Sequence, residues 1–208
     1  MRKIWSYGGV AASIVLIAVG IAAIVAATTG RSEVRSDIKR EAIVGTPDMT
    51  PKAIAAEAQQ AGLKNVDLPT CTVANQAIDT GARAKCFASY MRIHTLEATG
   101  GKTYAEMPRY ATADGKGTND AKAALTKNGQ PADNPARNIW INETALTTAL
   151  NTSYFAERVS MFSLAMGIAL LLSGIGFLVL TIRLLAPATK ESEEKAREKS
   201  PNLAPIAS

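Results

Sequence analysis

The sequence has few of the residue types that most often carry enzyme chemistry. Of 208 residues, one is histidine, two are cysteine and 5% are aromatic. The single histidine, His94, cannot form the multi-histidine sites that are common in metal catalysis. No Gly-x-Ser-x-Gly elbow occurs, and Leu96 stands where a phosphate-binding loop ending at Gly101 needs its first glycine. We therefore predict a protein that is not an enzyme, with no catalytic residue, no metal and no cofactor.

The histidine lies in a stripe with three apolar residues. Phe87, Met91, His94 and Ala98 follow one another at spacings of 4, 3 and 4. This spacing places them on one face of a helix. It indicates a packing face rather than a set of ligands.

Charged residues are absent from two long apolar segments. None occurs in residues 4–30 or 159–182. Because about 20 apolar residues cross a hydrocarbon core of roughly 30 Å, we predict transmembrane helices over 8–29 and 159–183. This excludes a plain cytosolic enzyme. The lack of ionisable residues inside both segments also argues against a transporter or channel formed by this chain alone.

Basic residues flank the outer ends of both segments. Arg2 and Lys3 precede the first, and Arg183 follows the second. Lysine and arginine favour the cytoplasmic side, so residues 1–7 and the tail 184–208 are predicted to be cytoplasmic. The predicted location is therefore a membrane, with the middle of the chain on the side away from the cytoplasm.

A cleaved signal peptide is the competing interpretation of the first segment. Val25-Ala26-Ala27 resembles a small-residue cleavage site that would leave Thr28 as the new N-terminus. Signal peptides, however, have apolar regions of about 7–15 residues. The longer run favours a retained anchor.

Residues 30–158 have a mainly helical pattern. No segment alternates polar and apolar residues with the period of a strand, so little sheet is expected. The fold class is thus an all-α membrane protein, with two transmembrane helices flanking a mainly helical extracytoplasmic domain. The predicted features of that domain are a helical extension over 31–43, a turn at 45–48, a helix from Thr50-Pro51 to Ala61, a helix over 74–99 that is interrupted near Gly81, a loop over 114–138 with a short helix at 121–127, and a helix from Ile139 into the second segment.

Cys71 and Cys86 are the only cysteines. Thiols outside the cytoplasm are generally oxidised, which predicts one disulfide. Fifteen residues of straight helix would separate these positions by about 22 Å, whereas a disulfide needs Cα atoms within about 7 Å. The backbone must therefore fold back between them, most simply at Asp79-Thr80-Gly81. A redox-active pair is less favoured, because the spacing is not Cys-x-x-Cys.

Small residues recur every four positions in both apolar segments. This spacing lets two helices approach closely, although alanine and glycine are also simply common in these segments. The predicted helix contacts are Ala18, Ala22 and Ala26 in the first segment, with Ala165, Ala169 and Ser173 in the second.

Three stretches, residues 79–85, 94–104 and 144–157, resemble a family of actinobacterial two-span membrane proteins of uncertain function. The resemblance covers most of the chain together with the two apolar segments, and it implies the two-span topology and a location in the bacterial envelope. Some members carry the label of aromatic ring-opening dioxygenase. A non-haem iron site of that kind uses two histidines and a carboxylate, more histidines than this chain has.

The favoured function is that of an accessory or stabilising subunit of a larger membrane complex, for which a respiratory-chain assembly is one candidate. The expected partners are the lipid bilayer and other membrane-protein subunits. Nucleic acid is not expected, because no basic stripe with interleaved aromatics occurs. A cell-envelope binding module for a lipid, a cell-wall component or a partner's outer domain is the alternative. An enzyme that uses His94 and the outer carboxylates is a weaker third hypothesis.

Overall fold

A computed structural model describes residues 2–198, with side chains described for 7–183. The predicted cytoplasmic ends, 1–7 and 184–208, therefore lie partly outside the described residues. The chain is mainly helical (63%). Its elements are α1 (Arg2–Arg40), α2 (Pro51–Gln60), α3 (Gly81–Ala98), β1 (Thr126–Lys127), β2 (Gln130–Pro131) and α4 (Pro135–Glu198).

The chain divides into two compact units. The apolar unit comprises the described residues of Met1–Thr29 and Ser160–Ser208, and the polar unit comprises Gly30–Val159. Helices α1 and α4 are both long and apolar enough to cross a membrane. Only 17% and 11% of their most apolar windows are buried, whereas the core helix of a soluble protein would be mostly buried.

In the apolar unit, α1 and α4 contact each other through small residues spaced seven apart. The buried positions are Ser13, Gly20 and Ala27 on α1 and Gly167 and Gly174 on α4. A spacing of seven is close to two helical turns, so these residues share one face. The resulting stripe differs from the one predicted by the sequence.

The predicted helix contacts are therefore wrong for the pairing of α1 with α4. These residues are spaced four apart, so they lie on other faces of the helices than the buried residues that are spaced seven apart. All six side chains are exposed, namely those of Ala18, Ala22, Ala26, Ala165, Ala169 and Ser173.

Glycine makes the close approach of the two helices possible. A methyl group on Gly20 would lie 2.7 Å from the backbone nitrogen of Leu171 and 2.8 Å from the carbonyl oxygen of Gly167. Likewise, a methyl group on Gly174 would lie 3.0 Å from the backbone nitrogen of Ile17. Any side chain at these positions would push the backbones apart.

In the polar unit, α2 begins and ends where the sequence predicts. The Thr50 hydroxyl accepts a hydrogen bond from the backbone N–H of Ala53 at 3.2 Å, and Pro51 occupies the first helical position, where its missing N–H costs nothing. Gly62 has a positive φ of 66°, the backbone conformation that commonly ends a helix.

Helix α3 begins at Gly81 and not at Ala74, so the predicted start is wrong. Thr80 caps the helix by accepting from the backbone N–H of Arg83 at 3.3 Å. The preceding residues form tertiary backbone hydrogen bonds instead: Gly45 N–H donates to the Gln76 carbonyl at 2.9 Å, and Ile78 N–H donates to the Ile43 carbonyl at 2.9 Å. These bonds replace the helical bonds that the alanines favour.

The predicted short helix over 121–127 is also absent from the described loop. Instead, Thr126–Lys127 pairs antiparallel with Gln130–Pro131 in a β-hairpin whose turn has two residues. Asn128 and Gly129 have φ values of 54° and 76°, which an Asn-Gly turn adopts readily.

Two helix ends also differ from the prediction. Helix α1 ends at Arg40 and not at 43, and α4 begins at Pro135, ahead of Ile139. Asn134 caps α4 by accepting from the Ala136 N–H at 3.1 Å.

The core of the polar unit lies around α3. Tyr90 is completely buried, and its hydroxyl donates to the Cys71 carbonyl at 2.6 Å. This hydrogen bond satisfies the polar end of an otherwise apolar side chain. The other buried core members include Met49, Ile54, Ala58, Val73, Ile78, Phe87, Ile93, Leu96, Met107, Trp140 and Leu150.

Candidate functional site

The predicted disulfide between Cys71 and Cys86 is confirmed. The two Cα atoms lie 6.1 Å apart, within the range that a disulfide requires. Cys71 precedes α3 and Cys86 lies within it. Thr80 caps α3 and Gly81 begins it, so the helix begins between the two cysteines, at the segment where the sequence predicts that the backbone folds back. The bridge therefore joins the irregular segment 71–80 to α3.

Glu157 is a buried carboxylate at the centre of an ionic cluster that the sequence analysis missed. Its side chain is 8% exposed and accepts hydrogen bonds from Arg31 Nε at 3.0 Å and Arg35 Nε at 2.8 Å. The backbone N–H of Gly81 donates to it at 2.7 Å. These three donors compensate the carboxylate for its loss of water.

Opposing influences act on the pKa of Glu157, which lies just before the apolar run. Burial is the largest and raises the pKa, but the hydrogen bonds from Arg35, Gly81 and Arg31 together outweigh it. The pKa consequently lies below the usual range, and the carboxylate stays ionised near neutral pH. This cluster joins residues from α1, α3 and α4, so it has a structural role.

Gly81 is needed for the approach of α3 to the Glu157 cluster. A methyl group there would lie 2.8 Å from the Cα atom of Tyr154 and 2.9 Å from Oε2 of Glu157. Only glycine brings the first N–H of α3 this close to the carboxylate.

A second polar cluster surrounds His94. Its Nε2 atom lies 3.3 Å from Oδ2 of Asp48 and 3.4 Å from Oε2 of Glu57. One ligand atom from each of the three residues falls within 4.8 Å of the other two. Asp48 comes from the turn before α2, Glu57 from α2 and His94 from α3. These are the residues that could hold a metal ion.

The environment of His94 differs from that of a packing face. Phe87 from the predicted stripe is buried, but His94 is only partly buried and Ala98 is exposed. The pKa of Asp48 lies below its usual range, chiefly because the Thr46 side chain hydrogen-bonds to it. Burial opposes this shift, and the nearby His94 adds to it. No local spacing signals this cluster, because its members come from three separate elements.

An open apolar groove lies along the first turns of α4. Its volume is about 570 Å³. Trp140 is fixed at its edge, since its indole N–H donates to the Lys102 carbonyl at 2.7 Å. The guanidinium of Arg92 stacks on that indole at 4.2 Å, and the guanidinium of Arg137 stacks on the ring of Tyr104 at 4.0 Å. The lining residues are Tyr104, Trp140, Ile141, Thr144, Ala145 and Thr148.

Comparison with known proteins adds no relative. No protein-family model, curated protein or solved structure matches the chain. The resemblance to the actinobacterial two-span family stays a prediction.

Proposed function

We propose that the chain is an integral protein of a bacterial plasma membrane, spanning it at residues 8–29 and 159–183. Both termini are cytoplasmic, and residues 30–158 lie outside. The observation that carries this proposal is the outward exposure of large apolar side chains in the apolar unit. Water would solvate such a surface poorly, whereas lipid chains solvate it well. Among the most exposed are Ile14, Val15, Val25, Phe162, Leu172, Phe177, Leu180 and Ile182.

The first segment is kept as an anchor in this proposal. Helix α1 continues through Thr28, whose hydroxyl donates to the Ile24 and Val25 carbonyls at 3.0 and 2.9 Å. Gly20 and Ile24 of the same segment contact Gly167 on α4. A cleaved leader would leave that face of α4 without its partner, which supports retention.

The proposed role is that of a non-catalytic accessory or stabilising subunit of a larger membrane complex. Ala165, Ala169 and Ser173 are exposed on α4, where they are free of the α1 contact. Small residues at this spacing allow the helix of another protein to approach closely. A partner helix is thus proposed to pack on this stripe, outside the α1–α4 pair.

Co-purification tests the subunit role. Native membranes are solubilised in mild detergent, and the tagged full-length chain is captured together with the proteins bound to it. The captured proteins are compared for wild type, Ala169→Leu and Ile175→Phe. Ile175 is exposed and two residues from Ser173, so it points away from the stripe. We expect a partner at fixed stoichiometry with wild type and Ile175→Phe, and loss of that partner with Ala169→Leu. Recovery of the wild-type chain alone would contradict the subunit role.

A binding module of the cell envelope is the second candidate function. The observation that favours it is the apolar groove with Trp140 and Tyr104 along its wall. Under this alternative, the chain purifies without a protein partner and carries a lipid or another extractable ligand. Mass spectrometry of the organic extract distinguishes the two functions in the same preparation, and Ile141→Asp in the groove should abolish the extracted ligand.

A further inference from the structure

We propose that Asp48, Glu57 and His94 form a binding site for a divalent transition-metal ion, with Zn²⁺ as the best-suited ion. The site lies in the polar unit, and the inference does not depend on the proposed role in a membrane complex. It extends the sequence analysis, which predicts no metal because the chain has a single histidine. One imidazole with two carboxylates is a ligand set that zinc accepts.

The spacing of the ligand atoms fits such an ion. Zinc binds imidazole nitrogen and carboxylate oxygen at about 2.0–2.2 Å, and corners of a regular tetrahedron of that size are about 3.3–3.6 Å apart. Nε2 of His94 lies 3.3 Å from the Asp48 oxygen and 3.4 Å from the Glu57 oxygen. Both distances correspond to edges of a tetrahedral coordination shell.

The state of the imidazole supplies an independent argument. Nε2 of His94 is buried, yet it has no hydrogen-bond partner among the described residues. The nearby oxygens of Asp48 and Glu57 do not meet the geometry of a hydrogen bond with Nε2, although both are close to it. A buried nitrogen without a partner is costly. A metal ion in front of Nε2 would satisfy its lone pair and both carboxylates together.

The site is held by structure that is already formed. The turn carrying Asp48 is closed by the hydrogen bond from Met49 N–H to the Thr46 carbonyl at 3.1 Å. Ile54 and Ile93, near Glu57 and His94 on α2 and α3, are buried in the core. The ligand side chains remain 25–39% exposed, so an ion can enter from solvent.

The nature of the ligands selects among ions. Mg²⁺ and Ca²⁺ prefer oxygen ligands, whereas imidazole favours zinc, copper, iron and nickel. Three protein ligands leave one position of a tetrahedral zinc ion open to water. The ion would also link the turn before α2, α2 and α3, and should therefore stabilise the polar unit.

Metal titration of the full-length chain in detergent tests the proposal. The protein carries a purification tag without histidine and is stripped with chelator before calorimetric titration with Zn²⁺. We expect one equivalent to bind, and binding to be weaker by at least about 10-fold in His94→Ala and Glu57→Gln. Glu97→Gln, an exposed position on α3, should bind like wild type.

A second readout separates loss of the site from loss of the fold. Zn²⁺ should raise the thermal midpoint of wild type and of Glu97→Gln but not that of His94→Ala, provided that all three have the same helical circular dichroism. Titration with Co²⁺ should give the visible absorption of a tetrahedral complex in wild type and in Glu97→Gln but not in His94→Ala. Absence of stoichiometric binding in wild type, or equal affinity in wild type and His94→Ala, would overturn the proposal.

Discussion

At the scale of single residues, Glu157 combines burial with full charge. Its carboxylate is 8% exposed, while the arginines that pair with it are 38% and 41% exposed. The arginines can therefore find water if the carboxylate is lost, but the Gly81 N–H that donates to it cannot. Removing the charge should therefore weaken both ion pairs, and removing the whole side chain would also leave this buried donor without a partner.

Replacement of Glu157 by glutamine tests this account. The glutamine amide retains one acceptor oxygen but pairs poorly with two arginines, so we expect a loss of about 1–3 kcal/mol in the free energy of unfolding. The measurement is the thermal midpoint of the full-length chain in detergent. The matched change Glu97→Gln, at an exposed position, should shift stability by less than about 0.5 kcal/mol. Equal effects of the two variants would refute the role assigned to the buried carboxylate.

The depressed pKa of Glu157 also predicts a dependence on pH. Because the folded pKa lies below the usual value, the stabilisation is complete above the unfolded pKa of about 4.3. It is lost as the pH falls through the folded pKa, where the carboxylate takes up a proton. The thermal midpoint of wild type should therefore fall more steeply below about pH 4.3 than that of Glu157→Gln. Parallel pH profiles for the two proteins would count against this cause.

At the scale of elements, local signals predict some boundaries and tertiary contacts determine the others. Thr50-Pro51 and Gly62 define α2 because a cap, a proline and a glycine act within one turn of chain. The start of α3 is not predictable in this way, since Asn75, Gln76 and Ile78 form backbone hydrogen bonds with Gly45 and Ile43 instead of helical ones. The Asn128-Gly129 turn is a local signal that the analysis of the sequence overlooked.

The same distinction applies to the sites. Pairing of Cys71 with Cys86 follows from the predicted compartment and the cysteine count, without knowledge of the fold. The cluster of Asp48, Glu57 and His94 requires three elements to meet, and no pattern within one element reports it. The seven-residue stripe of Ser13, Gly20 and Ala27 is visible in the sequence, but an alanine pattern of equal regularity runs beside it. Packing decides between such patterns.

The glycine contact between α1 and α4 yields a prediction at this scale. Gly20→Ala places a methyl group 2.7 Å from the backbone of Leu171, and overpacking of this kind typically costs about 1–3 kcal/mol. Gly176→Ala is the matched control, because a methyl group there meets nothing within 4 Å among the described residues. The thermal midpoint in detergent should fall for Gly20→Ala only. A midpoint for Gly20→Ala equal to that of the control would contradict the described packing.

Removal of the disulfide is a second prediction about elements. The bridge joins residues separated by 15 positions, and closing a loop of that length contributes roughly 3 kcal/mol in the chain-entropy model. The double variant Cys71→Ser with Cys86→Ser should lose about that much stability, measured by thermal unfolding of the full chain. Reduction of wild type by dithiothreitol is the control and should give a similar loss. If the double variant unfolds at the same temperature as oxidised wild type, the bridge does not stabilise the fold.

At the scale of the whole molecule, charge and apolar surface have separate places along the chain. Residues 30–158 contain 16 basic and 14 acidic residues, whereas the N-terminal segment before the first apolar run has Arg2 and Lys3 and no acidic residue. Under the proposed topology, the basic residues before the first apolar run would lie on the cytoplasmic side, as the positive-inside rule requires. The exposed apolar side chains of α1 and α4 favour lipid as their solvent.

Cysteine labelling in intact cells tests the proposed topology most directly. The native cysteines are joined in a disulfide, so single variants at the exposed Ala113 and at the C-terminal Ser208 offer the only free thiols. A membrane-impermeant maleimide should label Ala113→Cys without permeabilisation and Ser208→Cys only after detergent is added, with wild type unlabelled throughout. Labelling of Ser208→Cys in intact cells, or protection of Ala113→Cys, would contradict the two-span topology on which the account depends.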